Sequence, residues 1–415
     1  MDRRVVISGI GVISTFGAGK DVLWEHVRKG VSGIRHIQGF DTSNYSVKIG
    51  GECIDFVAEN YIDPKEVKRH DRFTHFALAA AKLAVEDSGI EFDKCDLTQV
   101  GVILGTGIGG LATLSRDAVR LVNESPKKVS PFYIPSSISN ISAGMVAIQY
   151  GLKGPNFVTV TACAASSHAM GEALNYIRRG IADAIVTGGS EAAIVPVGLA
   201  GFANMGALSK RNDDPQHASR PFDKERDGFV MGEGGAIYIF ENLEHAQKRN
   251  AKIYGEVVGY GLTADAHHIT APAPGGEGAV RCMRMALKDA MLPPDAIDYI
   301  NAHGTSTPYN DKSETEAIKA VFGDYAYKVP ISSTKSMVGH LLGASGAIEL
   351  AASLMGMQNG LVHPTANYEF PDPECDLDYV TNGAREVKIR YMMKNSFGFG
   401  GQNATLVIKS PEIKH

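Results

Sequence analysis

The chain has 415 residues, 44% hydrophobic and 21% charged, a globular balance that excludes a disordered or fibrous protein. Forty-one Lys and Arg against 46 Asp and Glu give a net charge of −5, so nucleic acid is not an expected partner. The five cysteines show no CxxC pairing, which argues against a disulfide scaffold or structural zinc and for a reducing cytoplasm. The elements then follow in chain order. Val5–Ile10 is a β-branched, apolar run ending in glycine, and reads as a buried strand. Its context, from Met1 on, has no secretory leader pattern. Phe73–Ser88 places Phe76, Ala79, Ala80 and Ala84 at helical spacing. Gln99–Leu104 predicts a second strand, followed by the turn Gly105–Gly110. The uncharged stretch Val129–Leu152 is broken by Pro131 and Pro135, so no membrane insertion is expected. Asn156–Thr161 predicts a strand that runs into Cys163, and Met170, Ala173, Leu174 and Ile177 then form a helical stripe. Ala184–Thr187 and Asp298–Ile300 predict further strands, and His340 is expected to open a helix over Gly339–Met357. Strand and helix in alternation predict an α/β protein with parallel sheets covered by helices.

The second part of the chain repeats the first. Phe157–Cys163 resembles Val329–Lys335, each followed by a helix. Gly228–Gly235 leading into Ala236–Phe240 resembles Ser396–Gly401 leading into Ala404–Ile408, and Gly255–Gly261 echoes Arg4–Gly11. Ordered matches of this kind indicate a duplicated βα unit. The expected halves are residues 1–250, with the cysteine, and 251–415, with two histidines.

Cys163 is the candidate nucleophile. It lies where a strand gives way to a helix among small neighbours, and a helix N-terminus is expected to favour its thiolate. Cys53, Cys95, Cys282 and Cys375 read as structural thiols. His303 and His340 stand in polar, glycine-containing turns after strands of the second half, where an α/β sheet gathers its active site. Other patterns carry less. Gly105–Gly110 fits GxGxxG, a weak dinucleotide signal that turn glycines also satisfy. Gly17-Ala-Gly-Lys20 fails as a phosphate loop, and Gly343-Ala-Ser345-Gly-Ala347 misses GxSxG by its last residue. His267-His268 lacks companion metal ligands.

Four strings carry a resemblance over nearly the whole chain: Val-Thr-Ala-Cys163, Asn-Ala-His303-Gly-Thr-Ser-Thr, Ser-Ser-Thr-Lys335-Ser-Met-Val-Gly-His340 and Asn395-Ser-Phe-Gly-Phe399-Gly-Gly. They resemble the β-ketoacyl-[acyl-carrier-protein] synthases of the thiolase-like superfamily, in particular its elongating condensing enzymes. The resemblance implies a duplicated, thiolase-like βα fold layered α-β-α-β-α, with two parallel-rich mixed sheets. It implies that malonyl carrier protein is decarboxylated and condensed with an acyl chain held on Cys163. His303 and His340 would stabilise the enolate, supported by Lys335 and Glu349. Backbone N–H groups of Cys163 and Phe399 would form the oxyanion hole. Phe399, with Asp265 and Thr270 on a second loop, would gate the site. Ile108, Phe202 and Tyr133 would shape the acyl pocket, Tyr133 from a neighbouring subunit. Thr305 and Thr307 would meet the phosphopantetheine arm. Lys65, Lys68, Arg69, Lys127 and Lys128 would dock the acidic acyl carrier protein. Asp311 and Glu314 would order the His303 turn. A homodimer without metal or bound cofactor is implied. Three alternatives stay open: a polyketide-type ketosynthase, a non-catalytic acyl-binding protein, and a nicotinamide oxidoreductase built on Gly105–Gly110.

Overall fold

The computed structural model describes residues 3–411. Met1 and Asp2, in the leader reading, and residues 412–415 of the second half lie outside the described residues. Ten strands carry the architecture: β1 (Val5–Ser14), β2 (Val100–Gly105), β3 (Asn156–Thr159), β4 (Ala184–Glu191), β5 (Gly234–Asn242), β6 (Gly255–Ala264), β7 (Tyr299–Asn301), β8 (Ile331–Ser332), β9 (Tyr391–Gly398) and β10 (Gln402–Lys409). Their spatial order is β3-β2-β4-β5-β1-β6-β10-β9-β7-β8. Each strand of the first five has its counterpart five places later, mirrored about the β1/β6 seam. In both halves three neighbouring strands pair in parallel, and one strand, β5 or β10, runs antiparallel between them and the seam strand.

The resemblance implied two sheets; hydrogen bonds join them into one. The reason is local. β1 pairs with β5 along its length but with β6 only at Val5↔Val257, Val6↔Glu256 and Ile7↔Gly255. Arg4 caps this seam with two bonds of 2.7 Å to the Glu256 carboxylate.

Six helices follow the same repeat: α1 (Arg72–Ser88), α2 (Ile141–Tyr150), α3 (Ala165–Arg178), α4 (Glu277–Asp289), α5 (Pro308–Phe322) and α6 (Ser345–Asn359). α1 and α2 cover the outer face of the first half, and α4 and α5 that of the second. α3 and α6 pack on each other and on strands of both halves, forming the middle layer of an α-β-α-β-α stack. Their sequences explain this position. Residues 345–357 of α6 are buried without a break, as a helix apolar on all sides requires. Asp71 starts α1 by accepting from the Phe73 N–H, and Gly89 ends it in the left-handed region at φ 62°. Among the described residues no helix is long and apolar enough to cross a membrane.

Candidate active site

Cys163 follows the carboxyl end of β3, and His303, His340 and Phe399 follow those of β7, β8 and β9, which are parallel to one another and run opposite to β3. The duplicated fold brings these ends to a common cavity of about 650 Å³. The Cys163 sulfur and one ring nitrogen of each histidine all lie within 4.8 Å of one another.

β3 stops at Thr159, and a single turn at 162–164 precedes α3. Ala162 takes φ +49°, a strained value for a side-chain-bearing residue, and so turns Cys163 into the cavity. The counterpart turn before α6 repeats this device with Leu342 at φ +47°. There the position matching Cys163 is Gly343, and not Lys335 as the sequence repeat aligned it, and a Cβ on Gly343 would lie 2.0 Å from the Gly107 nitrogen. One half of the repeat thus carries a nucleophile and the other a tight loop contact. His340 does not open a helix, as its sequence suggested. Gly339 (φ 75°) and Leu342 break the chain, and His340 bridges to Met231, its N–H donating to the Val230 carbonyl at 2.7 Å.

The hydrogen bonds fix the proton on each imidazole. His340 Nδ1 accepts from the Leu342 N–H at 3.1 Å and lies 2.7 Å from the Ser345 hydroxyl. His303 Nδ1 lies 3.3 Å from the Lys335 ammonium, which can only donate. Each Nδ1 is therefore an acceptor, and each neutral ring carries its proton on Nε2. Burial, Lys335 and Lys394 push both imidazoles well below the ordinary histidine range, and His340 adds to the effect on His303. The site presents two neutral N–H donors beside a thiol. The same observation bears on metals. A metal-bound imidazole donates its second N–H outward to a carboxylate or carbonyl. Here both second nitrogens face donors, so the proton sits on the nitrogen a metal would need.

Cys163 departs from the expectation drawn from its helix. Burial pushes its thiol up to about 11, against the opposing pull of the Lys335 charge and the backbone N–H groups of Phe399 and Cys163 itself. Desolvation outweighs the helix terminus. Alkylation of Cys163 by iodoacetamide is therefore expected to keep accelerating from about pH 8 to about pH 10. A rate already level near pH 7, followed by peptide mass, would show a preformed thiolate instead.

Supporting groups order the loops. Glu314 accepts the His303 and Gly304 N–H groups, each at 2.8 Å, and Asp311 accepts those of Thr305, Ser306 and Phe222 at 2.8–3.1 Å. Both carboxylates hold the His303 turn. Lys335 donates to the His303 carbonyl at 2.6 Å and to Glu349, in a pair with both side chains about 1% exposed. Gly398 brings the Phe399 loop against the nucleophile: a Cβ there would sit 3.0 Å from the Cys163 nitrogen and 3.1 Å from the Thr161 carbonyl. Phe399 is partly exposed and lines the cavity, so it is not a core aromatic. The two expected gating loops are joined, Gly400 N–H to the Ile269 carbonyl at 2.8 Å and Asp265 N–H to the Gly401 carbonyl at 2.9 Å.

Ile108, Phe202, Asp265, Thr270, Thr305 and Thr307 also line the cavity. Tyr133 does not; it begins a short helix at 133–137. Lys65, Lys68, Arg69, Lys127 and Lys128 are exposed and do not line the cavity. Arg69 reaches toward the second segment, its guanidinium 5.4 Å from the Phe132 ring, while it also pairs with Glu66 at 2.7 Å.

Two residues escaped the sequence reading. Glu191 is fully buried and accepts the N–H groups of Gly107 (2.5 Å), Gly343 (3.0 Å) and Ile108 (3.3 Å) and the Thr106 hydroxyl (3.1 Å). This carboxylate occupies the place where a GxGxxG turn would hold a phosphate, so the nicotinamide alternative fails on chemistry. Lys394 is wholly buried on β9 and pairs with the second oxygen of Glu349 at 2.7 Å. Its signal was present: a lysine inside an otherwise buried strand, just before the Asn395-Ser-Phe-Gly string.

A thiol flanked by two neutral imidazole donors, set on a duplicated βα scaffold, is the apparatus of the thiolase-fold condensing enzymes, which move acyl groups through a cysteine. Comparison with known proteins narrows this. Residues 2–246 match the family model "Beta-ketoacyl synthase, N-terminal domain", and residues 254–369 match "Beta-ketoacyl synthase, C-terminal domain". The chain belongs to the β-ketoacyl synthase family. A 3-oxoacyl-[acyl-carrier-protein] synthase 2 of Synechocystis is 52% identical over 407 residues, covering 98% of both chains. One from Coxiella burnetii is 49% identical over 406 residues, again 98% of both. Among solved structures, a β-ketoacyl synthase from Burkholderia phymatum superposes with TM-score 0.91 at 33% identity, covering 98% of this chain and 99% of that one. A type II PKS ketosynthase structure, solved in complex with its acyl-carrier protein, gives TM-score 0.91 at 36% identity, covering 99% and 100%. The chain is thus an acyltransferase of the condensing class, acting in fatty acid elongation.

Proposed function

We propose that the protein is a 3-oxoacyl-[acyl-carrier-protein] synthase working by a two-stage exchange on Cys163. In the first stage the Cys163 sulfur attacks an acyl carrier protein thioester. The S–H proton passes to the departing carrier thiol, and the acyl group stays on Cys163. The N–H groups of Cys163 and Phe399 receive the developing oxyanion. In the second stage malonyl carrier protein loses CO2, and the electron pair of the broken C–C bond becomes an enolate. The Nε2–H groups of His303 and His340 donate to its oxygen. The enolate carbon attacks the acyl carbonyl, the C–S bond to Cys163 breaks, and the sulfur takes up one proton. The product is a 3-oxoacyl chain two carbons longer. Lys335 and Glu349 act behind the histidines and touch no substrate.

The observation that carries this reading is the pair of neutral imidazoles, each with one ring nitrogen within 4.8 Å of the thiol and with Nδ1 facing a donor, which leaves the proton on Nε2. A cationic or metal-bound pair would suit other chemistry; two neutral donors suit an enolate. The fatty acid branch is favoured over the polyketide branch because the 3-oxoacyl synthase relatives reach 49–52% identity, against 36% for the type II PKS ketosynthase. Ile108 and Phe202 are proposed to bound the acyl chain, Asp265, Thr270 and Phe399 to gate it, and Thr305 and Thr307 to meet the pantetheine arm. The basic segments at Lys65–Arg69 and Lys127–Lys128 are proposed to receive the acidic carrier. The intact unit is proposed to be a cytoplasmic homodimer, with Tyr133 completing the neighbouring acyl pocket and the two halves of each chain meeting near residue 250.

The test is intact-protein mass spectrometry with acyl carrier protein loaded with a medium-length chain. Acylation of Cys163, discharged as 3-oxoacyl carrier protein when malonyl carrier is added, is the expected result. No adduct across chain lengths would overturn the reading. The oxyanion role has its own test. A valine at Gly398 forces the Phe399 N–H away from the sulfur and is expected to slow acyl transfer on the order of 10²-fold, as loss of one such donor does. An unchanged acylation rate in Gly398→Val would remove Phe399 from the mechanism.

A further inference from the structure

Within the ion group behind the histidines, with Glu314 on the His303 turn set apart, the buried charges do not cancel. Lys335 and Lys394 share a single carboxylate, Glu349, one on each oxygen. Lys394 directs its remaining donors to protein oxygens, the Asn395 carbonyl and the Ser396 hydroxyl, the latter at 2.9 Å. Ser396 in turn lies 2.8 Å from the Ser167 hydroxyl on α3. Lys394 thus joins β9, α6 and α3, through two hydrogen bonds to oxygens of β9 and an ion pair with Glu349. With both lysines charged the group Lys335–Glu349–Lys394 carries one net positive charge beneath the two imidazoles. Glu349 alone would neutralise Lys335; Lys394 restores the excess. An ordinary structural ion pair has no use for a third, wholly buried charge, because each buried ion costs several kcal/mol of desolvation.

We propose that Lys394 is a positioning residue of the condensation reaction: through Glu349 it holds the Lys335 ammonium against His303 Nδ1, and its own charge keeps His303 and His340 in the neutral Nε2–H form. The inference rests on the enolate-donor reading of the histidines. The charged and titratable groups around the two rings are Cys163, Lys335, Lys394, Glu349, Glu314 and Glu191. The two lysines act on both rings to exclude a proton through charge, and His340 adds to this on His303. The direction of the imidazole shifts agrees, since Lys394 depresses both rings. The same positive excess favours the negative charge that forms on the enolate oxygen in front of the rings.

The test compares wild type with Lys394→Gln, which removes the charge and keeps polar contacts, and with Lys394→Arg, which keeps the charge. Imidazole protonation is read by NMR of labelled histidine, with assignments from His303 and His340 variants, and needs no turnover. In wild type both rings are expected to stay neutral, with the proton on Nε2, well below the pH at which an ordinary histidine takes up its proton. In Lys394→Gln both are expected to titrate about one pH unit higher, because a nearby positive charge is gone. The acid limb of malonyl decarboxylation should move upward by the same amount, while Lys394→Arg leaves it near its wild-type place. A merely structural lysine would lower the melting temperature and leave titration and acid limb where they were; that outcome overturns the proposal. Imidazolium at neutral pH in wild type overturns it even if the variant does not fold. Shifted titration without any decarboxylation in wild type would instead count against the enolate reading and leave the electrostatic role of Lys394 standing.

Discussion

Cys163→Ala is expected to abolish acyl transfer and condensation while leaving malonyl decarboxylation in place. The sulfur is the atom that forms and breaks the acyl bond, so no other group can take over its part. The expected loss of condensation is at least about 10⁴-fold, the scale seen when a nucleophile is removed from a catalytic set. The decarboxylating parts are different atoms. His303 is held by Glu314 through its backbone N–H and by Lys335 at Nδ1, and His340 by Val230 and Leu342. None of these bonds passes through the sulfur. The fold should tolerate the change, since truncation to alanine removes one small buried atom and costs about 1 kcal/mol. Mass spectrometry would follow the acyl adduct, and CO2 release from malonyl carrier protein the second half-reaction. If both activities vanish together in a folded variant, the thiol takes part in decarboxylation, and the division of labour between the sulfur and the imidazoles is wrong.

The proposed catalytic set was legible because each member is embedded in a local string. Val-Thr-Ala-Cys163 and Asn-Ala-His303-Gly-Thr-Ser-Thr need no partner to be read. The strand-helix repeat was legible for the same reason: buried parallel strands are continuous apolar runs, and Val5–Ile10 or Ala184–Thr187 announce themselves. What could not be read depends on contacts between distant segments. Glu191 meets Gly107 and Gly343, which lie 84 and 152 residues away, so its carboxylate could not be matched to the GxGxxG turn that it fills. Lys394 stood out in the sequence as a lysine inside a buried strand, but its partner is visible only when β9 is set beside α6 and Glu349 is found with two lysines. The helix start at Ser345 was misjudged because Leu342 takes a positive φ, which its residue type does not predict. The state of the Cys163 thiol was misjudged by weighing its helix terminus and not its burial. Burial is a property of the assembled layers, and in this site it is the larger effect.

Lys335→Met should produce the other large effect, and on two measurements at once. Methionine fills the space but removes the ammonium that donates to the His303 carbonyl and faces His303 Nδ1. Nδ1 then has no donor against it and can hold the proton itself. The neutral ring exchanges its proton from Nε2 to Nδ1, and the nitrogen facing the substrate changes from donor to acceptor. Loss of one preorganised donor to a developing oxyanion costs about 10²–10³ in rate. Malonyl decarboxylation is expected to fall by that factor. Acylation of Cys163 should also slow, because the Lys335 charge is the largest influence pulling the thiol pKa down and its removal leaves burial less opposed. Stability falls as well. Removing one partner of a buried pair typically costs about 3–5 kcal/mol. In this site the loss should lie toward the lower end, since Lys394 still holds the other oxygen of Glu349. Lys335→Arg should not restore activity, because a planar guanidinium cannot replace a compact ammonium that reaches the His303 carbonyl, His303 Nδ1 and Glu349 from a single point. Denaturant unfolding separates the two consequences. A variant that loses stability yet decarboxylates at the wild-type rate would reduce Lys335 to a structural part. Slow decarboxylation in a variant shown to be folded would place the lysine behind the imidazole, setting its proton.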